Sequence, residues 1–371
     1  MLDRPPREGR RGLGRERLTN NNQQPPLSWT IQSRLVRAEI QTLGGMLGPA
    51  WFDLGDRKVQ PFVIAPWSDE VGPEYEKLPR ILQRLRGEWP CVPFGMSEAR
   101  KDLPPDWRPD VTSSGDYVDP DLHGYSSNSH WQLVRVEPRR IELVLEYPPL
   151  HPIRRVVRTI TASEEAPALE ISLMVQSRAG SDLPIGVHPV LRLPDSPRMA
   201  SLDFGGAPRA WTSPTPVEPG ISRFKSDVRN ALLTQMPTVS ASGAQQTENM
   251  TRLPLPYPTE ELVLVVGHHG SAMLTNHDES YSVSVSWDAE VFPACMLWLS
   301  NHGRDYHPWN RRFLGLGVEP IRSAFDLGAI VSRSRSNPLW RSGIPCTYSF
   351  SPEQDLETTY SIAVAEAGAA K

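Results

Sequence analysis

One carboxylate, Glu319, stands at the end of an apolar segment in this 371-residue chain. The segment Phe313–Val318 is interrupted by Gly315 and Gly317, and Pro320 follows the carboxylate. Its length and glycines predict a buried strand that a ligand or another backbone can approach closely. A carboxylate at the end of such a strand must find a partner or carry a shifted pKa, so Glu319 is a candidate general base. The alternative is a glutamate in solvent or in a salt bridge.

Two of the nine histidines stand out by their position in the sequence. His188 interrupts an apolar strand pattern and precedes a proline, and His123 precedes a glycine after a long loop. For each of them, a buried structural histidine is the alternative. The histidines show no HxH or HExxH spacing, so we expect no metal site. The sequence also contains no nucleophile elbow, phosphate loop or dinucleotide fingerprint, and we expect no cofactor.

Charge and cysteine content restrict the partners and the compartment. The net charge is −4, and the three cysteines, Cys91, Cys295 and Cys346, suggest neither a disulfide framework nor a metal centre. No apolar run of about 18 residues is present, and no apolar region follows the N-terminal arginines. We therefore expect a cytoplasmic protein, monomeric or homodimeric, that binds a small molecule and neither nucleic acid nor membrane.

Composition divides the chain into a tail and one domain. Residues 1–26 are rich in arginine, asparagine and glutamine and almost free of apolar residues, which predicts a mobile tail. A basic targeting or nucleic-acid-binding arm is the alternative for this tail. We expect residues 27–371 to form a single domain. Its many prolines argue against long helices.

Short alternating segments predict an all-β protein. Leu169, Ile171, Leu173 and Val175 alternate with polar residues, and Tyr281–Trp287 has the same period. Further strands are predicted at 36–40, 132–137, 141–147, 153–161, 295–299 and 358–364. We expect the arginines of 153–161 to be exposed, one short helix within 74–86, and a turn at His268 and His269. Residues 97–122 and 195–258 are predicted to be long loops, the second with short strands. Together these segments indicate a β-sandwich.

Four short motifs occur in an order that resembles the aldose 1-epimerase (galactose mutarotase) superfamily. They are Leu122-His123-Gly124 leading to Trp131, Val187-His188-Pro189, Pro293–Trp298 and Gly315–Pro320. The resemblance spans roughly residues 30–365. It implies a large antiparallel β-sandwich with few short helices and a sugar site on its concave face.

The resemblance also implies roles for individual residues. Glu319 matches the base that takes the proton of the anomeric hydroxyl, and His188 matches the acid that protonates the ring oxygen. His123 matches a histidine that hydrogen-bonds near that oxygen. Two further matches are with substrate-binding positions: Arg86, and Glu260 in place of an aspartate. Trp298 and Trp67 are candidate stacking platforms, because aromatic faces pack well on the C–H faces of sugars. A buried core residue is the alternative for Trp298. The segment before His188 departs from the family's Asn-x-x-x-His pattern, which leaves the sugar open.

Two other functions remain open at this point. A carbohydrate-binding protein on the same fold would need no chemistry, because fold does not fix function. A sugar lyase or hydrolase would share the sandwich architecture, and a glycosidase needs two carboxylates flanking the bond. Glu319 could pair with Glu260 or Glu290 in that case.

Overall fold

The computed structural model describes residues 27–98, 100–109, 119–239 and 245–368. The predicted tail at residues 1–26 and residues 110–118 of the predicted first loop lie outside this range. Within the described range, no helix is long and apolar enough to cross a membrane.

The described chain consists mainly of β-strands. In the first half they are β1 (Ser28–Gln32), β2 (Val36–Gln41), β3 (Leu47–Asp53), β4 (Lys58–Val59), β5 (Pro90–Cys91), β6 (Gln132–Val136), β7 (Arg140–Glu146), β8 (Ile153–Ala162), β9 (Ala168–Ser177), β10 (Ser181–Leu183), β11 (Ile185–Val187) and β12 (Val190–Arg192). In the second half they are β13 (Ala200–Thr212), β14 (Met236–Val239), β15 (Gln245–Glu248), β16 (Arg252–Leu253), β17 (Thr259–Asn276), β18 (Tyr281–Trp287), β19 (Ala294–Asn301), β20 (Leu314–Arg322), β21 (Tyr348–Phe350) and β22 (Leu356–Glu366).

The helices are all short. They are α1 (Pro73–Glu76), α2 (Arg80–Gln83), α3 (Gly124–Asn128), α4 (Gly328–Arg333) and α5 (Pro338–Arg341), with single 3₁₀ turns at Pro105–Trp107 and Leu233–Gln235. The predicted helix within 74–86 is therefore two one-turn helices. Pro79 separates them, because a proline restricts the residue before it to an extended backbone.

A large antiparallel sheet runs through the protein in the order β5-β11-β20-β19-β17-β18-β22-β9-β8-β7-β6. Strand β12 also pairs with β20, and β13 pairs with β17. A second sheet has the order β1-β2-β3-β4. The main core joins side chains of this small sheet with side chains from both halves of the large one, for example Ile40, Ile171 and Val283. The predicted all-β sandwich with few short helices is confirmed.

Strands β19 and β20 and the first half of β17 are buried on both faces. In β19, Cys295 and Leu297 point into the main core, whereas Met296 and Trp298 belong to a second, aromatic-rich core. This explains why Cys295–Leu299 is continuously apolar and does not alternate. The second core covers the concave face of β17, β19 and β20, and the candidate site lies there.

The prediction of loops and short strands over 195–258 is wrong for its first part. Residues 200–212 form the long strand β13 beside β17, with register irregularities between Phe204 and Arg209. The two register shifts lie on either side of Gly206, and they interrupt the two-residue alternation by which a strand is recognised in a sequence.

The predicted turn at His268 and His269 is also wrong. Both residues lie within the long strand β17, where Gly267 and Gly270 have positive φ angles of 75°. His268 is buried, and its ring lies 5.0 Å from that of Trp287.

Arg158 on β8 corrects the expectation that the arginines of this strand are exposed. Its side chain is fully buried and forms an ion pair with the equally buried Glu88. Arg158 also donates to the carbonyl of Gly45 at 2.6 Å, and the Tyr360 hydroxyl donates to Glu88 at 2.5 Å. This network connects β8, β22, the turn after β2 and the segment before β5.

Candidate active site

A pocket of about 580 Å³, including its open mouth, lies against one face of β17, β19 and β20. Its lining combines ionisable groups with aromatic and aliphatic side chains: Ile81, Leu82, Leu85, Trp89, Leu122, His123, His188, Val217, Leu262, Met296, Trp298, Arg304, Trp309, Glu319 and Asp326. A mostly apolar concavity with a few convergent polar groups is typical of a small-molecule site.

Glu319 reaches this pocket because of its position in β20. It lies opposite Met296 of β19, on the face that also carries Gly317. Its side chain is fully buried, and neither carboxylate oxygen accepts a hydrogen bond from any described residue. Burial, with a smaller contribution from the Asp326 carboxylate, raises the pKa of Glu319 well above its usual value. The carboxylate thus faces the pocket without a hydrogen bond from the described residues.

His188 meets Glu319 because β11 and β12, on either side of it, both pair with β20. Its backbone N–H donates to the carbonyl of Trp89 at 2.9 Å, and its ring stacks on that indole at 4.2 Å. Its Nε2 lies 3.3 Å from Oε1 of Glu319. Burial, followed by the nearby His123, lowers the pKa of His188 well below its usual value.

His123 lies beside this pair, with its ring 5.1 Å from that of His188. It adopts a left-handed backbone conformation with φ of 57° just before α3. Its Nδ1 accepts a hydrogen bond from the N–H of Gly95 at 3.3 Å. Burial lowers the pKa of His123 to about 3, so the ring is neutral near pH 7. Because Nδ1 is an acceptor, the proton lies on Nε2, which can donate to a ligand.

The pair of Glu319 and His188 holds one proton in its neutral state. Burial favours a carboxylic acid beside a neutral imidazole, and a polar ligand can favour the carboxylate beside the imidazolium. A pair that exchanges one proton over 3.3 Å can act as acid and base in turn.

Trp298 and Glu260 contact each other, but only Trp298 lines the pocket. Glu260 lies behind this lining. The Trp298 indole N–H donates to Glu260 at 3.3 Å, and the Ser300 hydroxyl donates at 2.6 Å. Glu260 thus orients the indole and does not line the pocket itself.

The structure does not bring Arg86 and Trp67 to the pocket lining. The Arg86 guanidinium donates to the backbone carbonyls of Arg84 and Ser68 at 3.1 and 3.4 Å. Trp67 is fully buried and lies 4.7 Å from the ring of Trp309. Both residues therefore pack outside the pocket lining, and Trp67 contacts the lining residue Trp309.

Among the aromatic and ionisable lining residues, four were not predicted from the sequence: Trp89, Arg304, Trp309 and Asp326. Arg304 donates to Glu218 at 2.9 Å, and its guanidinium lies 4.5 Å from the Trp309 ring centroid. Arg304 and Trp309 belong to the polar segment between β19 and β20, where no periodicity marks their direction. The Trp-Pro dipeptide after Glu88 was a usable signal for a rigid aromatic position.

A metal has no evident place among these groups. No cluster of three or more histidine, cysteine, aspartate or glutamate residues suited to a metal ion occurs in the described ranges.

Comparisons with known proteins identify the fold. A scan against protein-family models gave no match, and a search of curated proteins gave no significant match. An aldose 1-epimerase candidate from Escherichia coli K12 superimposes with a TM-score of 0.62 at 15% identity, covering 91% of this chain and 99% of its own.

Two further solved structures agree with this match. An aldose epimerase homologue from C. elegans has a TM-score of 0.58 at 11% identity and covers 92% of this chain and 100% of its own. A galactose mutarotase related enzyme from Lactobacillus acidophilus has a TM-score of 0.57 at 12% identity, covering 92% and 98%. The chain therefore shares the β-sandwich fold of these aldose epimerase and galactose mutarotase-like structures.

Proposed function

We propose that the chain is an isomerase that interconverts the α- and β-anomers of a free aldose. The observation that carries the proposal is the fully buried, unpaired carboxylate of Glu319, 3.3 Å from Nε2 of His188 in a pocket. The anomeric hydroxyl and the ring oxygen are bonded to the same carbon. A base and an acid this close together can therefore reach both oxygens.

The proposed reaction needs no other reactant. Glu319 takes the proton of the anomeric hydroxyl, a carbonyl forms at C1, the bond from C1 to the ring oxygen breaks, and His188 protonates that oxygen. Rotation about the C1–C2 bond turns the other face of the carbonyl toward the ring oxygen. On re-closure the two residues exchange roles: Glu319 returns a proton to the carbonyl oxygen, and His188 takes the proton of the ring hydroxyl. The pair carries one proton throughout.

The surrounding residues bind and orient the sugar in this proposal. His123 donates through Nε2 near the ring oxygen, and Trp298 and Trp309 offer faces for the C–H groups of the sugar. Arg304 and Asp326 lie in the same lining and are available to hydroxyl groups. Arg304 is already held by Glu218, so it is pre-organised for this contact.

Polarimetry tests the proposal. Freshly dissolved α-anomers of glucose, galactose and arabinose are followed with and without the protein, and the protein is expected to accelerate the relaxation. Glu319→Gln has nearly the same shape and should abolish the acceleration. His188→Asn should lower it at least about 100-fold, the lower range for one general acid. Full activity in Glu319→Gln would contradict the assignment of the base.

A sugar-binding protein without catalysis is the outcome if no sugar is accelerated but binding is measurable. The short contact between His188 and Glu319 favours catalysis over this alternative. A glycosidase is less supported, because Glu260 is engaged by Ser300 and Trp298 and the exposed Glu290 does not line the pocket.

A further inference from the structure

The ring of His188 lies against the face of the Trp89 indole. The two ring centroids are 4.2 Å apart, and the ring planes are 17° from parallel. Trp89 is buried, and its carbonyl also accepts the backbone N–H of His188 at 2.9 Å. Backbone and side chain of Trp89 therefore hold the imidazole over the indole face together.

Few other groups support a positive charge on His188. Its Nε2 lies 3.3 Å from Glu319, whereas its Nδ1 has no hydrogen-bond partner among the described residues. The other titratable side chain whose ring faces His188 is His123, which is neutral near pH 7. Both nitrogens of an imidazolium ion carry a proton, so a charged His188 would have one N–H without an acceptor. Burial makes such a charge costly.

The indole face offsets part of this cost. The π system of an aromatic ring has a negative face, which attracts a cation within about 6 Å of the ring centroid, and tryptophan attracts most strongly. The centroid distance of 4.2 Å lies well inside this range. The stack therefore stabilises the charged ring of His188 more than the neutral ring, and the effect is larger where water is excluded.

We propose that Trp89 is a positioning residue whose indole stabilises the imidazolium form of His188 and thereby populates the reactive state of the acid–base pair. The inference rests on the proposed function, in which the reaction starts from the Glu319 carboxylate beside the imidazolium. In a buried pair this is the less favoured of the two states that hold one proton. Without the indole, the proton stays on Glu319 for a larger part of the time, and Glu319 cannot then act as the base.

Fluorinated tryptophans test the proposal, because each fluorine weakens the negative face of the indole with little change in its shape. Mono-, di- and trifluorotryptophan are introduced at position 89 by nonsense suppression. Polarimetry follows the fastest sugar among glucose, galactose and arabinose. We expect kcat to fall with each added fluorine, by at least about 3-fold for trifluorotryptophan, while KM changes by less than about 2-fold.

Only part of the lost stabilisation affects the rate, because a less stable imidazolium also gives up its proton more readily. A kcat that does not change with the number of fluorines overturns the proposal. A rise in KM at constant kcat also overturns it, because that result assigns Trp89 to sugar binding instead.

Trp287 provides the matched control. Its ring lies 5.0 Å from that of the buried His268, and neither residue lines the pocket. The same fluorinated tryptophans at position 287 should leave kcat unchanged. An equal fall in kcat at both positions is a general effect of fluorine in the protein and overturns the proposal.

A measurement without sugar separates this inference from the proposed function. The nitrogen chemical shifts of the His188 ring give its protonated fraction at several pH values between 4 and 7. The fraction should be lower with trifluorotryptophan than with tryptophan at position 89. If no sugar is turned over, a lower fraction still supports the role of Trp89 although the isomerase proposal has failed. Equal fractions overturn the inference even if the wild-type protein is an isomerase.

Discussion

Gly317 determines whether the Glu319 carboxylate can occupy its position. A Cβ atom at Gly317 would overlap Oε1 of Glu319 and would lie 3.1 Å from Cβ of Trp298. The glycine is therefore needed for space, two residues before the carboxylate on the same face of β20. The position of the Glu319 carboxylate therefore depends on the absence of a side chain at Gly317.

We predict that Gly317→Ala lowers mutarotase activity by at least about 10-fold, because a base must lie within hydrogen-bond reach of the proton that it takes. Steady-state polarimetry measures this. Gly205→Ala is the control, since a Cβ there meets ordinary contacts beginning at 3.5 Å. Unaltered kcat in Gly317→Ala would show that the carboxylate does not need its present position.

The sequence indicated the two groups of the proposed acid–base pair better than the residues around them. Glu319 and His188 interrupt apolar strands, and a polar group there requires an explanation. Trp309 and Arg304 lie in an irregular segment, where direction depends on contacts that are distant in sequence. Arg86 belongs to a strand-like segment near the pocket, but its guanidinium is taken up by backbone carbonyls.

Among the elements, the segment before β5 depends on the buried ion pair of Glu88 and Arg158. Glu88 directly precedes Trp89, whose backbone and indole contact His188. The network of Glu88, Arg158 and Tyr360 therefore fixes the backbone that carries one wall of the pocket.

Arg158→Met should destabilise the protein by about 3–5 kcal/mol, because it leaves the Glu88 carboxylate buried without its charge partner. Urea unfolding measures the loss. The control on the same strand is Arg155→Met. It removes a solvent-accessible contact with Glu146 at 3.9 Å and a part-buried hydrogen bond to Gln176, so a loss of about 1 kcal/mol is expected. Adding Glu88→Gln to Arg158→Met should restore part of the stability, and equal losses at both arginines would contradict the argument.

Strand prediction failed where glycines allow bulges and succeeded where burial alternates. Tyr281–Trp287 alternates between buried and partly exposed residues, as its sequence indicates. Strands β13 and β17 contain positive-φ glycines at 206, 267 and 270, so each long strand looks like separate short pieces. The order of strands in the large sheet is not contained in any local pattern, and the family resemblance indicated only a large antiparallel sandwich.

For the molecule as a whole, burial raises the pKa of two carboxyl groups, Glu261 and Glu319. The pKa of Glu261 rises to about 7 and that of Glu319 well above its usual value. In the unfolded chain both groups lose their protons near pH 4.5, so the folded state binds more protons above that pH. Stability from these groups is complete below pH 4.5 and is lost as the pH rises through the folded pKa.

We therefore predict that the free energy of unfolding falls between pH 6.5 and pH 8. Buried histidines with lowered pKa values oppose this trend near pH 6.5, because their rings are still partly protonated in the unfolded chain. This contribution fades above about pH 7.5, where they are neutral in both states. Each acid that keeps its proton in the folded state contributes up to about 1.4 kcal/mol per pH unit. Denaturant unfolding at several pH values measures the slope, and the double substitution Glu261→Gln with Glu319→Gln should flatten it. A slope that is unchanged in the double variant would contradict the assignment.

The pairing of β11 with β20 has a consequence for the order of events during synthesis. His188 leaves the ribosome long before Glu319, and the two residues meet only when strands distant in sequence have joined. Non-local strand pairing is slow compared with local structure. The proposed mutarotase activity would therefore appear late in refolding, and its time course would report when the large sheet closes.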